Sequence, residues 1–228
     1  MSVVAVIPAA GSGRRMGAEV SKQFLRIGSK PILFYTLQRF ERVDEVDEVI
    51  LVVREQDLMV AAQEIVDRYG IQKVRKIVPG GAERQDSVFS GLKAIDGEPE
   101  LGVIHDAVRP LVSEQLIRLS IQHAREHGAV ITAVPVSSTI KRVAAGKVIE
   151  TVNREELWEV QTPQVFRFEL ILTAYESAAA EGYRATDDAA LVERLGMGVR
   201  VLAGEKSNIK ITTPEDLALA EFLLQRRK

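Results

Sequence analysis

The sequence predicts an α/β fold, a mainly parallel sheet with helices on both faces, from three observations. Short runs rich in Val and Ile recur along the chain, longer segments of helical period separate them, and the runs are too apolar for half-solvated strands. Strand and helix in strict alternation imply right-handed crossovers, which put helices on both faces of the sheet.

In chain order, a strand is expected over 3–8, then a helix over 31–42, a strand over 48–53 and a helix over 55–69. A strand over 74–78, a helix over 84–95, a strand over 101–105, a helix over 113–127 and a strand over 130–134 follow. The alternation then breaks. Segments 139–143 and 147–151 flank Ala144-Ala145-Gly146, which reads as a β-hairpin arm at about 137–152. A lone hairpin is marginal in water, so the arm needs something to pack on, and a partner subunit would serve. A helix over 167–181, a strand over 199–203 and a helix over 214–227 complete the series. The last helix has a clear start, with Thr213 as cap, Pro214 in the first helical position and Asp216 where a capping box places an acid.

With 228 residues, 46% of them hydrophobic, the chain suits one large domain spanning 1–228. The absence of cysteine excludes disulfides, thiolate nucleophiles and Cys-ligated metals. A net charge of -2 argues against the basic footprint of a nucleic-acid binder, so any anion site must be local. No apolar run approaches a bilayer span, and the amino terminus enters a strand with no basic leader, so a cytoplasmic, membrane-free protein is expected.

In parallel sheets ligands bind at the carboxyl ends of the strands. After the first strand comes Pro8-Ala9-Ala10-Gly11-Ser12-Gly13-Arg14-Arg15-Met16-Gly17, with Lys22 beyond it. Small residues let backbone N–H groups approach a phosphate, and the cations complete an anion site. It is neither the dinucleotide fingerprint, whose third glycine position holds Met16, nor a P-loop, for which no glycine is suitably placed. An oxidoreductase or a nucleotide sensor would explain the glycines but not these spacings. Gly80-Gly81-Ala82-Glu83-Arg84-Gln85-Asp86-Ser87 opens a helix after the third strand, and His105-Asp106-Ala107-Val108-Arg109-Pro110 follows the fourth. Asp106 could accept sugar hydroxyl hydrogens, support a metal, or pair with Arg109 to shape the loop.

Farther on lie Asn153-Arg154, Gln161-Thr162-Pro163-Gln164, Thr186-Asp187-Asp188 and Asn208-Ile209-Lys210, informative only as a set. The H-x-x-E-H pattern at His123 to His127 reads as a solvated helix end before Gly128. No Ser–His–Asp or Cys–His arrangement stands out, which suits a nucleophile supplied by the substrate, such as a phosphate monoester. Bringing that anion against a nucleoside triphosphate calls for Arg, Lys and Mg²⁺.

The ordered series PAAGSGRRMG, SKQF, GGAERQDSV, HDAVRP, NREELWEVQTPQ, TDDA and NIKITTPEDL resembles the 2-C-methyl-D-erythritol 4-phosphate cytidylyltransferases over nearly the whole chain. A sister family, the ribitol-5-phosphate cytidylyltransferases, shares HDAVRP, QTPQ and NIKITTP. The resemblance implies a Rossmann-like nucleotidyltransferase sheet and a β-arm that interlocks a homodimer. By the same resemblance, Ala9, Ala10, Gly11, Gly81 and Ser87 hold CTP, Arg15 and Lys22 grip its phosphates, and Mg²⁺ bridges the triphosphate. Asp106 reads an acceptor hydroxyl. Arg154, Thr162, Thr186 and Lys210 hold the acceptor phosphate, with Thr139 and Arg154 reaching across the dimer. No metal-ligating residue is implied.

Overall fold

The computed structural model describes residues 2–11 and 21–226. In chain order the elements are β1 (Val3–Pro8), β2 (Arg26–Ile27), β3 (Lys30–Pro31), α1 (Ile32–Glu41), β4 (Glu48–Val53), α2 (Leu58–Val60), β5 (Val74–Pro79) and α3 (Arg84–Lys93). Then come β6 (Leu101–Ile104), α4 (Glu114–His127), β7 (Ala129–Pro135), β8 (Ile140–Ala144), β9 (Lys147–Val152), β10 (Trp158–Arg167), α5 (Phe168–Glu181), α6 (Ala189–Arg194), β11 (Arg200–Ala203) and α7 (Pro214–Gln225). A 3-10 turn at Glu55–Asp57 precedes α2, and π-helix over Ala61–Asp67 follows it, so the helix expected over 55–69 changes pitch along its length.

Seven strands form one sheet in the order β11-β7-β10-β6-β1-β4-β5. All neighbours are parallel except at β10, which runs antiparallel to both β6 and β7. Strict alternation therefore fails at one central strand. Its inner half, from Gln161 to Phe166, is buried, while Trp158, Glu159 and Val160 are exposed. The ladder shifts register between Gln161 and Gln164, where Pro163 has no N–H to give.

The uniform apolarity of β1 and β4 has a direct cause. Val3, Ala5 and Ile7 of β1 pack with Val49, Leu51 and Val53 of β4 against α1 and α4, while Val4, Val6, Ile50 and Val52 face α3 and α5. Burying each of these Val, Leu and Ile side chains contributes roughly 1.5–3 kcal/mol, so both faces of the sheet drive folding. Gly91 lets α3 lie close on the sheet, because a Cβ there would meet Val52 Cγ2 at 2.9 Å. α7 starts as expected, with Thr213 Oγ1 accepting from Asp216 N at 3.3 Å and Asp216 Oδ2 from Thr213 N at 2.9 Å.

β8 and β9 form a separate two-stranded hairpin, tighter than the three-residue loop expected. Ala144 pairs with Lys147, leaving Ala145 and Gly146 as a turn with φ of 48° and 74°. Positive φ at both positions matches the twist that a two-residue hairpin needs. Val143, Val148 and Ile149 on this arm are exposed.

Candidate active site

The loops after β1, β4, β5 and β6 meet at the carboxyl edge of the sheet. Backbone bonds tie them there: Ala9 N donates to Val52 O at 2.6 Å, Gly80 N to Val53 O at 2.7 Å, and His105 N to Val6 O at 3.1 Å. A cleft of about 430 Å³ opens above them, with Ala9, Ala10, Gly11, Lys22, Gly81, Ser87, Asp106 and Lys210 among its lining. The glycines after β5 serve close approach, because a Cβ on Gly80 would lie 2.6 Å from both Ala10 Cβ and Ser87 Oγ. That contact sets one glycine loop against the other.

The polar centre of the cleft is Asp106. Its Oδ1 accepts from Arg84 Nε at 2.9 Å, while Oδ2 lies 2.8 Å from Lys210 Nζ and 3.5 Å from Arg109 Nε. Burial alone would raise its pKa, but Arg84, Lys210 and Arg109 outweigh burial and hold the carboxyl well below the usual range. Asp106 is therefore an anion at any physiological pH, and Lys210 is anchored by it at the cleft wall.

Arg84 joins this centre to a second buried carboxylate. Its Nη1 and Nη2 donate to Asp188 Oδ1 and Oδ2 at 2.9 and 2.8 Å, a two-point pairing that only a guanidinium can make. Tyr175 Oη also donates to Asp188. Neither Arg84 nor Asp188 was singled out as a site residue from sequence, although both lie inside motifs read there. They are 104 positions apart, and only the fold pairs them.

Behind Asp106 runs a buried relay. Asp106 N donates to Thr162 Oγ1 at 3.0 Å, Thr162 Oγ1 lies 3.0 Å from His105 Nδ1, and His105 Nε2 lies 3.2 Å from the Arg109 carbonyl. A carbonyl can only accept, so Nε2 carries the proton and Nδ1 takes one from the threonine hydroxyl. Burial pushes the His105 pKa down to about 4. A depressed value stabilises the fold fully above the unfolded value of about 6.5, and that contribution is lost as pH falls through about 4. Urea denaturation from pH 7 to pH 4 should show wild type losing about 3 kcal/mol more than His105→Gln. Parallel pH profiles for the two proteins would reject the assignment.

The fold brings together Ala9, Ala10, Gly11, Lys22, Gly81, Ser87, Asp106 and Lys210 in one cleft. It does not bring Thr162, Thr186, Thr139 or Arg154 to that lining. Thr162 is buried in the relay, Thr186 is exposed ahead of α6, and Thr139 and Arg154 are exposed at the base of the arm, with Arg154 donating to the Ser137 carbonyl. Arg15 lies outside the described residues. The lining also holds residues outside the expected set, among them the polar side chains of Gln23 and Arg54. Gln23 stands inside the SKQF motif, and Arg54 follows a strand end, the place where ligand groups gather.

The profile of the 2-C-methyl-D-erythritol 4-phosphate cytidylyltransferase family matches residues 3–226. The chain is 47% identical to the enzyme of that name from Geobacter metallireducens, over 100% of this chain and 99% of that protein. It is 48% identical to the enzyme of that name from Desulforamulus reducens, over 99% and 97% of the two chains. A crystal structure of 4-diphosphocytidyl-2C-methyl-D-erythritol synthase from Anaerococcus prevotii superposes with a TM-score of 0.86 at 40% identity, covering 98% of this chain and 96% of that one. The cytidylyltransferase from Thermus thermophilus superposes with a TM-score of 0.79 at 33% identity, covering 99% and 100%.

Proposed function

Because the chain belongs to the 2-C-methyl-D-erythritol 4-phosphate cytidylyltransferase family, whose reaction is CTP-dependent cytidylyl transfer in the non-mevalonate isoprenoid pathway, we propose that this transfer takes place in the cleft at the strand ends. A phosphate oxygen of 2-C-methyl-D-erythritol 4-phosphate attacks the α-phosphorus of CTP in line. The new P–O bond forms as the bond from the α-phosphorus to the bridging oxygen breaks. Pyrophosphate leaves with that bonding pair, and the product is 4-diphosphocytidyl-2-C-methyl-D-erythritol.

The observation that carries this reading is the shared cleft, where closely packed backbone at Ala9 to Gly11 and at Gly81 meets Lys22 and Lys210. Ala9, Ala10, Gly11, Gly81 and Ser87 hold the cytidine nucleotide. Lys22 and Arg15 take up charge on its phosphates, since preorganised cations act most where charge develops. Asp106 accepts from an acceptor hydroxyl, Lys210, Arg154 and Thr186 face the acceptor phosphate, and Thr162, whose hydroxyl is engaged by His105 and by Asp106 N, supports that side of the site from behind Asp106.

A magnesium ion fits this donor set as a passenger on the triphosphate. Asp106 is already engaged by Arg84, Lys210 and Arg109, and Mg²⁺ commonly keeps several waters and binds through substrate phosphates. When bound it neutralises phosphate charge.

The exposed apolar residues of the arm support a homodimer in which Thr139 and Arg154 reach the acceptor site of a second copy. No helix among the described residues is long and apolar enough to cross a membrane, and we place the enzyme in the cytoplasm with the rest of a small-molecule pathway. The test is a pyrophosphate-release assay that crosses the four nucleoside triphosphates with a panel of sugar-alcohol phosphates. CTP with 2-C-methyl-D-erythritol 4-phosphate and Mg²⁺ should give the highest kcat/KM. An equal or higher value for D-ribitol 5-phosphate would hand the acceptor site to the sister family, and sedimentation as a monomer at micromolar concentration would remove the arm from it.

A further inference from the structure

Lys22 stands on one 3-10 turn, Lys22–Phe24, and a single turn with poor hydrogen-bond geometry cannot hold a side chain in place unaided. Two side-chain contacts flank it. Gln23 Nε2 donates to the Ala9 carbonyl at 2.5 Å, pinning the turn to the end of β1. On the other side, Ser21 Oγ donates to Asp57 Oδ2 at 3.1 Å. Asp57 accepts in addition from Arg54, at 2.7 Å from Nε and 3.2 Å from Nη2.

An aspartate at the start of a helix commonly caps it, yet Asp57 makes no such bond. It is buried, as is Ser21, and its oxygens are turned to Ser21 and Arg54 instead. Arg54 lines the same cleft as Lys22. One carboxylate thus joins the turn that carries one cleft cation to the strand end that carries another.

We infer that Asp57 is a positioning residue for the transfer: through Ser21 it fixes the turn that carries Lys22, and through a two-point ion pair it sets Arg54 on the cleft wall. This rests on the reading of Lys22 as a phosphate-gripping cation. Stabilisation of developing charge depends on donors held in place beforehand, so loosening the turn lowers kcat.

A double-mutant cycle on Asp57 and Lys22 tests this, with kcat for pyrophosphate release from CTP and 2-C-methyl-D-erythritol 4-phosphate as the readout. Asp57→Ala should lower kcat about tenfold in the wild-type background and less than about twofold beside Lys22→Ala, where no ammonium remains to be positioned. Asp57→Asn keeps an oxygen for the Ser21 hydroxyl and should recover most of the turnover. Ser21→Ala removes the link without disturbing a buried charge, and should reproduce the loss if Asp57→Ala fails to fold. An equal loss in both backgrounds would show that Asp57 does not act through Lys22 and would overturn the inference, as would undiminished kcat in Asp57→Ala and Ser21→Ala. Near-wild-type kcat in Lys22→Ala would instead overturn the reading of Lys22 and the inference with it, and that corner of the cycle tells the two failures apart.

Discussion

Replacing Arg84 by alanine should destabilise the protein by about 3–5 kcal/mol, the range expected when one partner of a buried ion pair is removed. Two carboxylates depend on this guanidinium. Asp188 is fully buried and receives both of its Nη groups, and Asp106 receives Nε. Burial works against the charge on Arg84, but Asp188 and Asp106 hold its pKa above the ordinary value. Asp106 keeps Lys210 and Arg109 after the substitution, whereas Asp188 keeps only the Tyr175 hydroxyl among the contacts described above. Most of the loss should therefore come from Asp188. Arg84→Lys should recover only part of it, because an ammonium cannot fork across two oxygens. Urea denaturation with linear extrapolation measures the difference, and a loss under about 1 kcal/mol for Arg84→Ala would show that water or rearrangement satisfies Asp188.

Lys22→Ala is expected to lower kcat by about a hundredfold or more while leaving the circular dichroism spectrum unchanged. The side chain lines the cleft beside Gly11, where a Cβ on that glycine would lie 3.8 Å from Lys22 Cε, so the ammonium stem runs along the glycine-rich loop after β1. In a transfer between two anions, negative charge on the oxygens around the α-phosphorus peaks between substrate and product. A cation already fixed there lowers the barrier more than it tightens ground-state binding. The CTP KM should accordingly move less than kcat. Arg15→Ala carries the same expectation from its place in the glycine-rich motif. Turnover within about threefold of wild type in a folded Lys22→Ala protein would remove Lys22 from the chemistry.

Much of this molecule is local and was therefore legible in the chain. β1 and β4 are apolar at nearly every position because both faces of a covered sheet are dry, and both were expected at their observed bounds. The Thr213-Pro214-Asp216 signal started α7 at Pro214, since a capping box needs only residues within one turn. The two glycine loops could be placed at strand ends, and the topology rule for parallel sheets then pointed to one cleft.

β10 was not legible. Its polar centre, Gln161-Thr162-Pro163-Gln164, lacks the pattern of a central strand, and each polar group is satisfied by a partner far away in the chain. Gln161 Nε2 donates to the Glu205 carbonyl, Thr162 joins His105 and Asp106, and Gln164 Nε2 reaches Asp187 Oδ2 at 3.0 Å. The same holds for the charges of the site. Composition and spacing established that this chain gathers cations and small residues at the ends of parallel strands, because anion recognition needs both and each leaves a mark within a few residues. Which carboxylate holds which cation was decided only by tertiary structure. Arg84 meets Asp188 across 104 positions and Ser21 meets Asp57 across 36, and buried charges choose partners by distance in space, where low polarity makes every unpaired group costly.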